Sequence, residues 1–344
     1  MRERVLFAVL AASLAIFGCG DNGGISTGGE ESSQAAIDEA YRMIDELYDN
    51  EAPDEEKLAA TVEFLEAYPE SEYSVGLVGD VLYFRGGQAG DMKGAIEFAE
   101  QIRSAVADPA IARDFDQRLI SWYGEAGMKA RMLSIADRLE QEGTIRFGDY
   151  FNVIDSAVAM EEWALAREYC SKARPKADAA TWRAEWPDIE ATDERAEKAG
   201  LNRQGMLLVK DSWARSNLGD VDGALDGFAR ADELVDSSYV GIPGYGLNLY
   251  WGKTYMMKGD ADGAMEKFAP DALIARDDEA AAALRQAYAV ATGSEDGFAS
   301  WSCRKRLGIV KKANDFELPD SSGARHSFAD LRGEVTLLNF WSST

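Results

Sequence analysis

Histidine and cysteine are scarce in this sequence, which has one histidine, His326, and three cysteines among 344 residues. A serine or cysteine triad needs a histidine base, so hydrolases of that kind are disfavoured. The sequence also lacks a P-loop, an HExxH motif and any cysteine–histidine cluster with metal-ligand spacing. We therefore predict no metal site, no cofactor and no catalytic constellation within the printed residues.

Positive charge is also in short supply. The 36 lysines and arginines are outnumbered by 61 aspartates and glutamates, which gives a formal net charge of -25. Nucleic-acid binding needs a basic footprint, and so does electrostatic binding to anionic lipid, so both are disfavoured. The acidic residues form either a solvated surface or a docking surface for basic or amphipathic partners.

The three cysteines are too few for a disulfide framework. Cys170 lies on a helical pattern among apolar residues, which predicts a small core residue. Cys303 precedes the cations of "RKR", so it is either a structural residue or, if exposed, a reactive thiol.

Long apolar runs are absent after the first 20 residues, which read "MRERVLFAVLAASLAIFGCG". A charged start followed by the apolar stretch Val5 to Phe17 is typical of a secretory signal. The end, "IFGC", resembles the lipobox of bacterial lipoproteins, which implies cleavage before Cys19 and lipid attachment to it. An ordinary signal with a chance cysteine is the alternative. We expect a signal peptide at 1–18, a Gly/Ser-rich flexible tether at 19–33 and a lipid-anchored location facing the periplasm or exterior.

Helical periodicity dominates residues 34–300, which we assign to one domain. A phrase repeats there as "GDMKGAIEF", "GDVDGALDGF" and "GDADGAMEKF", starting at Gly90, Gly219 and Gly259. These glycines can end one helix in a left-handed conformation, and the aspartate after each can cap the next helix. The small alanine that follows lets the paired helices pack closely, and it recurs as Ala95, Ala224 and Ala264.

This pattern resembles the tetratricopeptide repeat, a helix-turn-helix unit. The best unit carries the repeat's residues at their expected spacings: Gly252, Tyr255, Gly259, Ala264 and Phe268. The preceding unit departs from the pattern, with Ser212 and Arg215 at the first two positions, and the spacing of 40 residues between units predicts inserted residues or longer helices. The predicted fold class is mainly α, an irregular α-solenoid of helix pairs.

The resemblance implies a surface that binds peptides or proteins, and the alternative is an array that only holds another domain in place. The segment "TWRAEWPDIEATDERAEKAG" interrupts the repeats, and Pro187 should break or kink a helix there. Its two tryptophans, Trp182 and Trp186, either line a pocket or serve helix packing.

Strand and turn patterns replace helical ones after a linker predicted at 301–312. Residues 313–344 resemble the opening of a thioredoxin-fold redoxin of the membrane-anchored thiol-disulfide oxidoreductase type, an incomplete α/β domain. The residues that carry the resemblance are Ala313, Asp315, Phe316, Leu318, Asp320, Gly323, Ser327, Asp330, Leu331, Gly333, Leu338, Asn339, Phe340 and Trp341.

The redoxin resemblance implies a CxxC motif just beyond Thr344, and so a truncated record. It also implies a disulfide-containing protein substrate and a membrane electron donor. The first functional hypothesis is therefore an envelope oxidoreductase on a lipid-anchored helical arm. The alternatives are a non-catalytic scaffold that binds proteins on its repeat surface and, less favoured, a peroxiredoxin-type peroxidase.

Overall fold

The computed structural model describes residues 28–187, 189, 192–237, 243–309, 317–319 and 324–327. The chain divides into two compact units, with the boundary between Ile135 and Ala136. Within the described residues the structure is mainly helical, as predicted. None of the helices in this part of the chain has the length and apolar character needed to cross a bilayer.

The first unit contains five α-helices and the first half of a sixth, which crosses the boundary between the units. These are α1 (Gly28–Asp49), α2 (Asp54–Ala67), α3 (Ser74–Val81), α4 (Met92–Ala105), α5 (Pro109–Glu125) and α6 (Lys129–Gln141). A π-helical turn, Leu82–Gln88, continues α3. Helix α1 begins inside the segment predicted as a tether. Helix α5 begins with a proline at its first position and the side chain of Asp108 as its cap.

Within its described residues the second unit contains nine α-helices besides the end of α6, together with a 3₁₀ turn at Arg174–Lys176 and a π-helical turn at Asp271–Ala275. They are α7 (Phe147–Ala159), α8 (Trp163–Ala173), α9 (Ala179–Glu185), α10 (Asp193–Asn217), α11 (Val221–Asp232), α12 (Leu247–Lys258), α13 (Ala261–Pro270), α14 (Asp278–Thr292) and α15 (Phe298–Ile309). The 40-residue spacing predicted inserted residues or longer helices, and residues 233–246 separate α11 from α12. Helix α9 ends two residues before Pro187, which agrees with the predicted break.

The cores of the second unit lie between paired helices. One cluster joins α8, α10, α11 and α12 around Phe228, Trp213 and Trp251. The next joins α13 and α14 around Phe268 and Leu284. Each pair buries the apolar face of its neighbour, which is how helical repeats gain stability.

Helix α15 extends into the segment predicted as a linker and ends at Ile309. The reason is packing, because Phe298, Trp301 and Ile309 lie against the α13–α14 core. A segment with this apolar contact is more stable as a helix than as an exposed connection.

Beyond α15 the described residues form a small antiparallel hairpin of β1 (Glu317–Pro319) and β2 (Arg325–Ser327), with Leu318 opposite His326. The redoxin resemblance predicts short strands at "DFEL" and "HSF", which β1 and β2 overlap. A hairpin alone does not constitute a thioredoxin fold, so the predicted α/β domain stays a prediction. Leu318 is exposed; the other residues predicted as its core motif, Asp315, Phe316, Gly333, Asn339, Phe340 and Trp341, lie outside the described residues.

Candidate binding site on helix α10

The repeated Gly-Asp turns have the geometry that the sequence predicts. Gly90, Gly219 and Gly259 adopt φ values of 74°, 93° and 82°, the left-handed region that a glycine enters without strain. The aspartate after each glycine caps the next helix, accepting from a backbone N–H at 3.0, 3.2 and 2.9 Å in chain order. Ala95, Ala224 and Ala264 are fully buried between the paired helices.

A second layer of the turn is not evident from the sequence motif. In two of the turns, an arginine from the helical segment before the turn lies over the capping aspartate. This arginine is Arg85 in the first turn and Arg215 in the second. The Arg85 Nε donates to Asp91 Oδ2 at 2.7 Å, and the Arg215 Nε donates to Asp220 Oδ2 at 2.8 Å. These arginines hold the pKa of each aspartate below its usual range.

The overlying side chain explains the second glycine of each motif. A Cβ on Gly94 or Gly223 would lie closer than 3.0 Å to the arginine and the aspartate. In the third turn Tyr255 takes the place of the arginine, and a Cβ on Gly263 would lie 2.9 Å from its ring. The motif therefore encodes one packed turn with two interchangeable covering residues.

Gly252 and Phe268 form a close helix–helix contact between α12 and α13. A Cβ on Gly252 would lie closer than 3.0 Å to three atoms of the Phe268 ring, which is fully buried. In the preceding pair Ser212 occupies the position of Gly252, and the space for it comes from Gly227, whose missing Cβ would collide with the serine hydroxyl. The residues of the repeated motif therefore act in helix capping and helix packing.

One cavity in the second unit has a volume of about 430 Å³ and lies along one face of α10. The residues from α10 recur at helical spacing and therefore share that face. Helix α9, the start of α7 and the residues after α11 supply the remaining walls. The lining residues are Phe147, Trp182, Arg195, Lys198, Ala199, Asn202, Arg203, Met206 and Asp236.

Arg203 fixes the base of this cavity by joining three elements. Its Nη2 donates to Glu185 Oε2 at 2.6 Å, and its Nη1 donates to the Lys176 carbonyl oxygen at 3.1 Å. Its guanidinium also lies 4.6 Å from the centre of the Phe147 ring. The other Glu185 oxygen accepts from the Phe147 backbone N–H at 2.9 Å, which satisfies the first turn of α7. The Arg203 and Glu185 side chains are both only 9% exposed, so this is a buried, multiply hydrogen-bonded ion pair.

The mouth of the cavity carries cations that are not buried. Arg195 is exposed and forms no ion pair with any described residue, and Lys198 lies 3.2 Å from Asp236 Oδ1 with its side chain 71% exposed. Asn202 accepts from the Asp236 backbone N–H at 2.9 Å and donates to the exposed Tyr245 hydroxyl at 3.3 Å. The mouth therefore offers exposed positive charge beside a hydrogen-bonded polar edge.

The segment that interrupts the repeats contributes Trp182 to the cavity wall. Lining a pocket was one of the two roles predicted for this residue, and helix packing was the other. Trp186 does not line the cavity and is 49% exposed. The wall is held close to α10 at Gly200, where a Cβ would lie 2.7 Å from the backbone nitrogen of Ala179. Glycine at this position lets the start of α9 rest directly on α10.

Side chains that could bind a metal or react as thiols also occur in the described part of the chain. No cluster of three or more metal-ligating side chains occurs among the described residues. Cys170 is buried, as predicted; its thiol donates to the Leu207 carbonyl oxygen at 3.8 Å, and burial raises its pKa. Cys303 is exposed, so it is not the packed structural residue that one reading of the sequence favoured. Cys19, the predicted site of lipid attachment, lies outside the described residues.

Comparison with known proteins adds little to this geometry. No protein-family model matches the chain, and no curated protein matches it. Among solved structures, a thermophilic TPR (tetratricopeptide repeat) protein of Thermus thermophilus is similar over 57% of this chain and 92% of that chain, at 16% identity and a TM-score of 0.39. Because this likeness is weak, the description of tetratricopeptide-like helix pairs rests on the Gly-Asp turns and the packing between the helices.

Proposed function

We propose that this protein is a non-catalytic, helical-repeat binding protein that holds a protein partner in the α10 cavity. The observation that carries the proposal is the open cavity of about 430 Å³ with a rigid base and a charged, solvent-facing mouth. Protein-binding sites combine such anchored residues with exposed polar ones at the rim.

Two double variants of the full-length chain test the proposal. The cavity variant carries Arg195→Glu and Lys198→Glu, and the control variant carries Lys93→Glu and Arg138→Glu. Both change the net charge equally, and neither Lys93 nor Arg138 lines the cavity. All four positions are exposed or partly exposed, so both variants should fold.

Each tagged protein is purified from cells of its source organism, and the bound proteins are quantified by mass spectrometry. We expect at least one partner that is retained by the wild type and the control variant and depleted at least tenfold on the cavity variant. Equal retention by all three proteins would contradict binding in the cavity.

A second candidate function is the thiol-disulfide oxidoreductase, with the helical domain as its arm. The β1–β2 hairpin supports it, because two antiparallel strands occur where the redoxin resemblance expects them. The test is to read the coding DNA that follows the codon for Thr344. A CxxC run followed by a domain's length of codons would support the redoxin, and another kind of sequence there would contradict it.

We also propose that the protein is attached to a membrane through a lipid on Cys19. The lipobox-like sequence "IFGC" supports this attachment. The variants Cys19→Ser and Cys303→Ser are expressed with a radiolabelled fatty acid, and membranes are separated from soluble protein. We expect Cys19→Ser alone to lose the label and leave the membrane fraction. Equal labelling of both variants would show that Cys19 is not the attachment site.

A further inference from the structure

The charge of the α10 cavity is opposite to that of the chain as a whole. The chain carries a net charge of -25, whereas the lining includes three cations and one carboxylate, Asp236. Arg203 is committed to the buried pair with Glu185. Arg195 and Lys198 remain at the mouth, and Arg195 has no ion-pair partner among the described residues. In this cavity an acidic protein therefore exposes cations that a negatively charged ligand can reach.

The two mouth cations are arranged to act on one group. Arg195 and Lys198 are three residues apart on α10, so their side chains leave the same face of the helix and can reach a common point. Arginine binds a carboxylate through two parallel N–H···O bonds, and lysine adds a flexible point charge. Asp236 lies beside Lys198 at 3.2 Å, so an incoming carboxylate would replace an existing weak, exposed pair.

Apolar surface lies next to these cations. Trp182 and Met206 line the same cavity, and both are partly exposed. An aromatic or long aliphatic side chain would pack against the indole ring and the flexible thioether. The cavity is therefore complementary to a pair of neighbouring groups, one anionic and one apolar.

Building on the proposed function, we infer that the cavity binds an acidic peptide segment in which an aspartate or glutamate lies beside an aromatic or large aliphatic residue. The carboxylate pairs with Arg195 and Lys198, and the apolar side chain contacts Trp182 and Met206. Arg203 acts as a positioning residue, since it holds the start of α7 and the end of α9 in place beneath the ligand.

A peptide array tests both the site and its ligand class. Heptapeptides with one fixed phenylalanine, tryptophan or leucine are printed in three matched forms, with glutamate or aspartate, glutamine or asparagine, or lysine at the neighbouring positions. The array is probed with the full-length wild type, with Arg195→Glu/Lys198→Glu and with the control Lys93→Glu/Arg138→Glu. The strongest binders are then measured by fluorescence anisotropy at low and high salt.

We expect the acidic peptides to bind the wild type and the control at least tenfold better than their amide forms, and to lose that advantage on the cavity variant and at high salt. If acidic and amide peptides bind equally well and both are lost on the cavity variant, the cavity binds peptides but the inferred charge preference is wrong. Preference for the lysine forms also overturns the inference. If no peptide distinguishes the cavity variant from the control, both the inference and the cavity as the binding site fail.

Discussion

Replacing Arg203 with methionine removes the cation from a buried ion pair while keeping most of the side-chain volume. Both members of the pair are only 9% exposed, and the Nη2–Oε2 distance is 2.6 Å. The variant leaves the Glu185 carboxylate in a site with little water, where its remaining described hydrogen bond comes from the Phe147 backbone N–H. Leaving one buried charge uncompensated costs about 3–5 kcal/mol. We therefore expect Arg203→Met to lower the free energy of unfolding by roughly that amount.

The loss of stability in Arg203→Met should come from the unpaired Glu185 charge and not only from lost packing contacts. Adding Glu185→Gln to Arg203→Met neutralises the charge and keeps an oxygen that can accept from Phe147. The double variant should therefore recover most of the stability that Arg203→Met loses. The exposed Arg195→Met is the matched control and should change stability by less than about 0.5 kcal/mol.

Urea unfolding followed by far-UV circular dichroism measures all four proteins. A loss below about 1 kcal/mol for Arg203→Met would show that the pair is solvated and not a rigid base for the cavity. A double variant that is no more stable than Arg203→Met would refute the assignment of the cost to an uncompensated charge.

Two further predictions concern packing and pH. Gly252→Ala places a Cβ closer than 3.0 Å to the buried Phe268 ring, so it should lower the free energy of unfolding by about 1–3 kcal/mol, as measured in urea. The helical Gly79→Ala is the control, since a Cβ there would have nothing within 4 Å, and it should be neutral or stabilising by up to about 1 kcal/mol. Equal effects of the two substitutions would contradict the close helix contact. Burial raises the pKa of Asp271, although Asn248 donates a hydrogen bond to it. The folded state therefore binds a proton more readily than the unfolded state. Stability falls as the pH rises from the ordinary aspartate pKa through the raised one. Asp271→Asn should be more stable than the wild type at neutral pH and equal to it near about pH 3, where the unfolded aspartate is largely protonated. Thermal unfolding across a range of pH measures this difference, with the exposed Asp226→Asn as the control. A difference between Asp271→Asn and the wild type that does not change with pH would contradict the argument.

The helix pairs and their turns could be predicted because their signals are local. Gly219 and Asp220 are adjacent in the chain, and their roles as helix end and helix cap depend on their own backbone. The arginine above the cap is harder to predict, because Arg215 and Tyr255 occupy equivalent places without chemical similarity. Their shared role becomes visible only when the space above Gly223 and Gly263 is known.

The cavity could not be predicted from the sequence beyond the suggestion that Trp182 lines a pocket. Its base depends on a pair between Glu185 and Arg203, which lie on different helices and carry no motif. Its wall depends on Gly200, which looks like an ordinary helical glycine until the backbone of Ala179 is found against it. Such features arise from tertiary contacts, which local patterns do not encode.

The central claim is that a partner segment occupies the α10 cavity, and site-specific photo-crosslinking tests it most directly. A benzophenone amino acid is placed at the partly exposed Ala199, which lines the cavity, in the full-length protein, and in a second sample at the exposed Asp226, which does not line it. This leaves both mouth cations, Arg195 and Lys198, in place. Both proteins are irradiated in cells of the source organism. We predict a discrete crosslinked partner at position 199 that is absent at 226, with the linked peptide carrying an acidic residue next to an apolar one. No crosslink at 199, or the same products at both positions, would contradict the claim.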